Sequence, residues 1–325
     1  MLPIQQFSHA FSSAEEFSAV VGSTAWELDF RQLSRGQGTL PARLIQGASC
    51  QWLNVQTSAL IHQRALPPQG HVTIGITNNP EAEARFGAHD VQWNELCLFD
   101  PVAGLDCIST EGFGAYTLSF PEQHLRKIAT NLALPCPGDT PAKVAFQSTR
   151  PKDIARLRAL LAEFDKVMFT GNDIQRSNAL ADAESDLPVL LLQTWGGGEQ
   201  TTPAAGNNRR RALNRALDYI EAHPHAVIGV EQLCEAAACS ISTLERAFGE
   251  HLGISPKRYL VAIRLSAVRR QLLDPGQAQT IGDIAADWGF WHMSKFAQDY
   301  RRMFGEKPSD TRSNAGLTRL RAAAP

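Results

Sequence analysis

IGDIAADWGFWHMSKFAQDYRRMFGEKPSD, residues 281–310, decides the fold, because VEQLCEAAACSISTLERAFGEHLGISPKRYL, residues 230–260, is a second version of it. Leu244, Phe248, Leu252, Gly253 and Pro256 stand at the same spacing as Phe296, Tyr300, Phe304, Gly305 and Pro308. Upstream, Val230 and Leu233 answer to Ile281 and Ile284 once the second copy is given one extra residue in its turn. A repeat of about 50 residues implies two similar supersecondary units.

Each copy reads as helix, tight turn, helix. In the first, Val230 to Ala237 is a short helix, CSIS is the turn, and a serine at 240 or 242 caps the next helix. Leu244 and Phe248 form the buried stripe of that second helix, and Thr243, Glu245, Arg246 and Glu250 lie off it. In the second copy Ile281, Ile284 and Ala285 face inward, Gly289 sits at the turn, and Phe296 and Tyr300 are buried. Met293, Ser294, Ala297 and Gln298 then face outward. A helix braced across another is a means of presenting side chains to the major groove, where base-pair edges are distinguishable. Arg246 suits guanine, Gln298 adenine, Glu245 cytosine, and Met293 and Ala297 thymine methyls. Lys295, Arg301, Arg302, Arg269 and Arg270 suit phosphates, joined by Thr243 and His292.

Between the copies, SPKRYLVAIRLSAVRRQLLDPG (255–276) predicts one long helix stopped by Asp274-Pro275-Gly276. It would hold the two reading units about one DNA turn apart. RRRALNRALDYIEAHP (209–224) predicts a further helix, with Leu213, Ala216, Leu217 and Ile220 inward.

Charge divides along the same line. Residues up to Asn208 carry 14 basic against 21 acidic side chains, and those from Arg209 carry 17 against 12. The basic back is the candidate for a polyanion, and the acidic front argues against lying along DNA. The 325 residues suggest two domains. GGGEQTTPAAGNN, from Gly196 to Asn208, reads as a flexible linker, giving a front domain at 1–195, a linker at 196–208 and a DNA-binding domain at 209–325.

In the front, GHVTIGITNN, VQWNELCLFD and GAYTLSF have strand composition between Pro, Gly and Asn breaks, which suggests a β-sandwich or barrel able to enclose a pocket. After Pro151 the period changes: Ile154, Leu157, Leu161, Phe164 and Met168 mark an amphipathic helix, taken as a homodimer contact, with packing on its own β-domain as the alternative. A second helical segment from about Asp173 to Gln193 is expected to break near Pro188.

The region from about Arg209 to Arg312 resembles the AraC/XylS family of bacterial regulators. LERAFGEHLGISPKRYL, RLSAVRRQLL and IGDIAADWGFWHMSKFAQDYRRMFGEKPS carry the likeness. WGFWHMSKFAQDY is particularly similar to regulators of ethanolamine use, a likeness confined to the DNA-binding part. The resemblance implies an α+β protein: a cupin-like β-barrel or sandwich with appended helices for sensing, then an all-α domain with two helix-turn-helix units. It implies a transcription factor, an activator working beside RNA polymerase on a double-stranded promoter site, regulated by a small-molecule effector. Alternatives are control by abundance or a protein partner, or a cupin-type enzyme with a DNA-binding tail. Carried over, Ser242, Glu245 and Arg246 face bases from the first reading helix, and Met293, Ser294, Ala297 and Gln298 from the second. The family often has Arg where Gln298 stands and a larger residue at Ser242, so base preferences do not transfer.

Other chemistry finds little support. His62, His71 and His89 lack the H-x-H-plus-Glu spacing of cupin metal sites, so neither metal nor cofactor is expected. Gly196-Gly197-Gly198 lacks the Lys of a phosphate loop. The six cysteines form no C-x-x-C pair and read as core residues of a cytoplasmic protein, with no membrane-spanning stretch.

Overall fold

The structure is a computed structural model that describes residues 5–86, 89–139, 145–201, 208–274 and 276–313. The front half runs β1 (Gln5–Phe11), α1 (Ala14–Val21), β2 (Glu27–Gln32), β3 (Leu40–Gln46), β4 (Gln51–Gln56), β5 (Ile61–Leu66), β6 (His71–Thr77), β7 (Ala84–Phe86), β8 (His89–Asp90), β9 (Glu95–Leu98), β10 (Leu105–Ser109) and β11 (Gly114–Pro121). It continues through α2 (Glu122–Asn131), β12 (Ala145–Ser148), α3 (Pro151–Thr170), α4 (Asp173–Gly196) and β13 (Glu199–Thr201). The strands make an eight-stranded sheet, ordered β1-β3-β4-β11-β6-β9-β12-β13, and a five-stranded sheet, ordered β2-β5-β10-β7-β8.

The two sheets enclose Phe11, Phe17, Trp26, Phe30, Phe99, Phe113 and Phe146. The far face of the larger sheet carries a second core, in which Trp52, Leu118 and Phe120 meet the helices α2–α4. That double covering explains β11, whose central residues are buried on both faces although its strand-to-strand pairing is antiparallel.

Three expectations for this half are corrected. Ile154, Leu157, Leu161, Phe164 and Met168 are all at most 4% exposed, packed against α4 and the larger sheet, so the stripe is spent inside the chain rather than offered to a second subunit. Helix α4 does not break at Pro188 but passes through it. Leu187, Leu190, Leu191, Leu192 and Trp195 bury around that point, and packing of this extent outweighs one lost backbone bond. The expected linker begins as structure: Glu199–Thr201 pairs antiparallel with β12. Residues 202–207 of it, and Pro275 of the predicted helix stop, lie outside the described residues.

The back half is helical: α5 (Asn208–Ala222), α6 (Val230–Ala237), α7 (Ile241–Leu252), α8 (Pro256–Leu273), α9 (Ile281–Asp287) and α10 (Met293–Phe304). Capping fixes the boundaries. Ser240, Ser255 and Thr280 accept from the backbone N–H three residues on, at the starts of α7, α8 and α9. The repeated glycines Gly253 and Gly305 end α7 and α10 at φ of +66° and +76°, where a side chain would be strained. Among the described residues, no helix is long and apolar enough to cross a membrane.

Candidate nucleic-acid interface

Helices α7 and α10, the second helix of each repeat copy, bury equivalent faces. On α7 these are Leu244, Ala247, Phe248 and Leu252; on α10 they are Phe296, Tyr300, Met303 and Phe304. Tyr300 closes its polar end on Thr311 (2.9 Å), so burying the ring leaves no orphaned hydroxyl. The opposite faces are open. Ser242, Glu245 and Arg246 are exposed on α7, as are Met293, Ser294, Ala297 and Gln298 on α10. His292, Lys295, Arg301 and Arg302 flank the second set in the open, and Thr243 is half-buried, bonded to its cap Ser240.

Register links the two sets and adds a residue to the first. Ile241 opens α7 as Met293 opens α10, and both project large apolar side chains into solvent, 50% and 42% exposed. Sequence reasoning selected Met293 and missed Ile241, although the 52-residue offset joining Leu244 to Phe296 also joins these two. Trp291, 76% exposed just before α10, lies beside the same surface.

Arg269 and Arg270 are elsewhere. Helix α8 is buried around nearly its whole circumference, because the reading units cover one side and the β-domain covers another. Arg269 is 4% exposed, with Nε 3.5 Å from Glu15 and a terminal nitrogen 2.8 Å from Glu306, its plane over the Phe304 ring. Arg270 pairs with Asp29 at 3.0 Å. Both arginines hold the domains together here instead of standing free for phosphate.

The joint they belong to is polar and specific. His62 on β5 is buried between the Tyr259 hydroxyl of α8 (2.8 Å) and Asp106 of β10 (2.8 Å). Arg64 reaches Glu221 of α5 at 3.0 Å. Gln32 donates to the Met303 carbonyl and Gly36 N–H to the Arg302 carbonyl, each at 3.0 Å, and Leu33 enters the helical core. Burial opposes the charge on Asp29, but Arg31 and Arg270 prevail and hold its carboxyl below the usual range. At Glu15 burial prevails over Arg269 and pushes the carboxyl up.

Strand alternation gives this joint a second side. Leu28 and Phe30 of β2, Gln63 and Ala65 of β5, and Leu105 and Cys107 of β10 line a cavity of about 50 Å3 inside the β-domain. Their neighbours Asp29, His62, Arg64, Asp106 and Ile108 point the other way, to the helical domain. The smaller sheet is thus one wall shared by the cavity and the helical half. The cavity's lining is almost wholly apolar, with Trp26, Phe99 and Phe113 among it. His62, His71 and His89 go to separate partners, and no group of three or more His, Cys, Asp or Glu suited to a metal occurs among the described residues.

Comparison with known proteins bears on the helical half. A helix-turn-helix domain family matches residues 233–314. The XylDLEGF operon transcriptional activator of Pseudomonas putida is 39% identical over 101 residues, which are 31% of this chain and 32% of that protein. The HTH-type transcriptional activator RhaS of an Enterobacter species is 32% identical over 100 residues, 31% of this chain and 35% of that one. The matched region therefore spans about a third of the length of the curated relatives. Among solved structures, a probable AraC family transcriptional regulator from Rhodopseudomonas palustris is 35% identical, covering 32% of this chain and 96% of that chain, with a TM-score of 0.31. The AraC-like transcriptional activator CuxR aligns over 87% of this chain and all of that one at 14% identity and a TM-score of 0.40. Residues 233–314 are thus a helix-turn-helix domain similar to those of the AraC/XylS family of bacterial transcriptional regulators.

Proposed function

We propose that the protein is a sequence-specific DNA-binding transcription activator whose β-domain takes a small apolar effector and passes its presence to the reading helices. The single observation that carries this reading is the shared wall: β2, β5 and β10 line the cavity with one set of side chains and grip α5 and α8 with the alternate set. A molecule that enlarges the cavity must move those strands, because packed walls transmit displacement. It thereby alters the polar joint that positions both units. The exposed faces of α7 and α10 enter adjacent major-groove segments of a promoter site, next to RNA polymerase. Arg246, Glu245 and Ser242 read bases from α7; Gln298, Ala297, Ser294 and Met293 read them from α10. Lys295, Arg301, Arg302 and His292 hold phosphates.

The test is selection of bound sequences from a random duplex pool by the full-length protein, with and without apolar small molecules, followed by single substitutions. Arg246→Ala and Gln298→Ala should each cost about 1–3 kcal/mol at the selected site and relax preference at one position. Arg301→Ala should weaken all sequences alike and flatten the salt dependence by about one ion. Equal losses on selected and random DNA for Arg246→Ala would remove it from the reading set. Failure of every apolar compound to shift DNA binding would overturn the effector reading while leaving DNA recognition standing.

A further inference from the structure

Two of the six cysteines stand apart from the rest. Cys50, Cys97, Cys107 and Cys136 are buried, whereas Cys234 and Cys239 are half-buried free thiols on the rim of the helical core. They bracket the turn of the first helix-turn-helix unit. Cys239 N–H donates to the Cys234 carbonyl at 3.0 Å, and Ala238 N–H to the Glu235 carbonyl at 3.1 Å. Ala238 itself is left-handed, with φ of +50°. This paired closure is a Schellman turn, which brings the side chains of its first and last residues together. The second repeat copy makes the same turn: Phe290 N–H donates to the Ala285 carbonyl and Gly289 N–H to the Ala286 carbonyl, each at 2.9 Å, with Gly289 at φ of +77°. There the two contact positions hold Ala285 and Phe290, an apolar pair that packing alone accounts for. The first copy holds two thiols instead. The residue after them, Ser240, caps α7 by accepting from Thr243 N–H at 3.2 Å. The thiol pair therefore sits against the start of α7, and α10 has no counterpart to it.

We propose that Cys234 and Cys239 are a redox-active dithiol that closes into a disulfide when the protein meets hydrogen peroxide. Cys239 is the attacking thiol. Burial pushes both thiols up, but at Cys234 the neighbouring Cys239 sulfur and the carboxylates of Glu231, Glu235 and Glu245 add to it. The Cys239 sulfur bonds to one peroxide oxygen, the O–O bond breaks, and the thiol proton leaves with the hydroxide as water, giving a sulfenic acid. The Cys234 sulfur then bonds to the Cys239 sulfur, the S–O bond breaks, and the Cys234 proton leaves in a second water. Two thiols lose two electrons and two protons, and one peroxide becomes two waters. An S–S bond of about 2 Å is far shorter than a contact between two sulfurs, so closure draws Cys239 toward α6. Ser240 moves with it, and the cap it gives α7 shifts. The closure itself is independent of the DNA-reading assignment; its effect on base preference rests on that assignment.

The experiment treats the reduced full-length protein with hydrogen peroxide, blocks the remaining thiols with a maleimide in denaturant, and reads the products by peptide mass and non-reducing electrophoresis. A Cys234–Cys239 disulfide within one chain is expected, reversed by dithiothreitol, with the four buried cysteines still open to the maleimide. In Cys234→Ser the sulfenic acid on Cys239 has no thiol to meet and is trapped by dimedone; in Cys239→Ser neither product forms. Circular dichroism checks the fold of both variants. Oxidised and reduced protein are then compared by selection of bound sequences from a random duplex pool. Oxidation should weaken recognition about tenfold at the element read by α7 and leave the element read by α10 as it was. Cys239→Ser should select the same sequences before and after peroxide. Absence of the Cys234–Cys239 disulfide, a bridge between two chains, or equal oxidation of the buried cysteines overturns the dithiol. A disulfide that forms and leaves base preference unchanged overturns its action on α7. A reduced protein that selects no sequence at all strikes the DNA-reading assignment instead, and the disulfide stands or falls on the mass measurement.

Discussion

The last turn of α7 touches the β-domain through Arg85, which donates to the Glu250 carbonyl at 2.5 Å, whereas the last turn of α10 is held by a buried side chain and a backbone N–H together. Gln32, only 2% exposed, spreads its amide over the carbonyls of Ser34, Gly36 and Met303, and Gly36 answers with its own N–H to Arg302. Helix ends leave carbonyls without partners, and here another domain supplies them. Two helices built on one repeat thus differ in how firmly the β-domain grips them. The difference teaches that a change in β2 or its following loop reaches α10 directly, and reaches α7 chiefly through α8.

The sharpest break in that comparison is at α8 itself. Arg269→Ala removes the cation between Glu15 and Glu306 and leaves Glu15, 4% exposed, buried with its charge unpaired. Breaking a buried pair costs about 3–5 kcal/mol, read as a lowered urea midpoint of the full chain. A loss under about 1 kcal/mol would mean that the joint opens freely in solution. Glu15 also gives the joint a pH signature. Its folded pKa is raised above the ordinary 4.5, so its contribution to stability is full below that value and is lost as pH rises through the folded value. The stability of Glu15→Gln relative to wild type should therefore climb as pH rises from below 4.5 to neutrality. A difference that stays flat with pH would show that burial does not govern this carboxyl.

Next in size is the contact between β5 and α8. Tyr259→Phe deletes the hydroxyl 2.8 Å from His62 and leaves a buried ring nitrogen without its partner. The cost should be about 1–3 kcal/mol in equilibrium unfolding. Because Tyr259 also packs edge-on against Phe248 of α7, the Phe variant keeps that ring contact, and any change in DNA reading by α7 isolates the hydrogen bond. A variant as stable as wild type would show that water replaces the hydroxyl.

Much of the helical half was legible because its signals are local. The bounds of α6 follow from Val230 and the CSIS turn, and the outward faces of α7 and α10 follow from the stripes Leu244/Phe248 and Phe296/Tyr300. The exposed candidates on those helices stand where that register put them. Arg269 and Arg270 did not, and the reason is physical. Basic side chains on a helix look alike in sequence whether they meet phosphate or a carboxylate from residues 15 and 29, more than two hundred positions away. One sign was present: Leu265, Ser266 and Ala262 break the polar face that a one-sided α8 would show, and all three are buried. The stripe of α3 misled for the opposite reason. An amphipathic face says that something covers it, and periodicity does not say whether the cover is a second chain or the next helix.

The smallest expected effect bears most directly on the difference between the reading helices. Gln32→Ala removes the side-chain donor to Met303 while leaving the Gly36 bond to Arg302 in place. A hydrogen bond of this kind contributes about 0.5–1.5 kcal/mol, so global stability should fall only modestly. The DNA-binding profile is the informative reading. If the β-domain positions α10 through this cap, the variant loses preference at the bases opposite Met293, Ala297 and Gln298 and keeps it at those opposite Glu245 and Arg246. Arg85→Ala is the matching change at α7, where the bond to Glu250 is exposed and worth less. It should leave both elements of the site nearly as they were. Equal loss at both elements from Gln32→Ala would mean that the cap stabilises the whole helical domain and that the two helices are held alike. Loss confined to the α10 element would show that the loop after β2 positions α10 independently of α7.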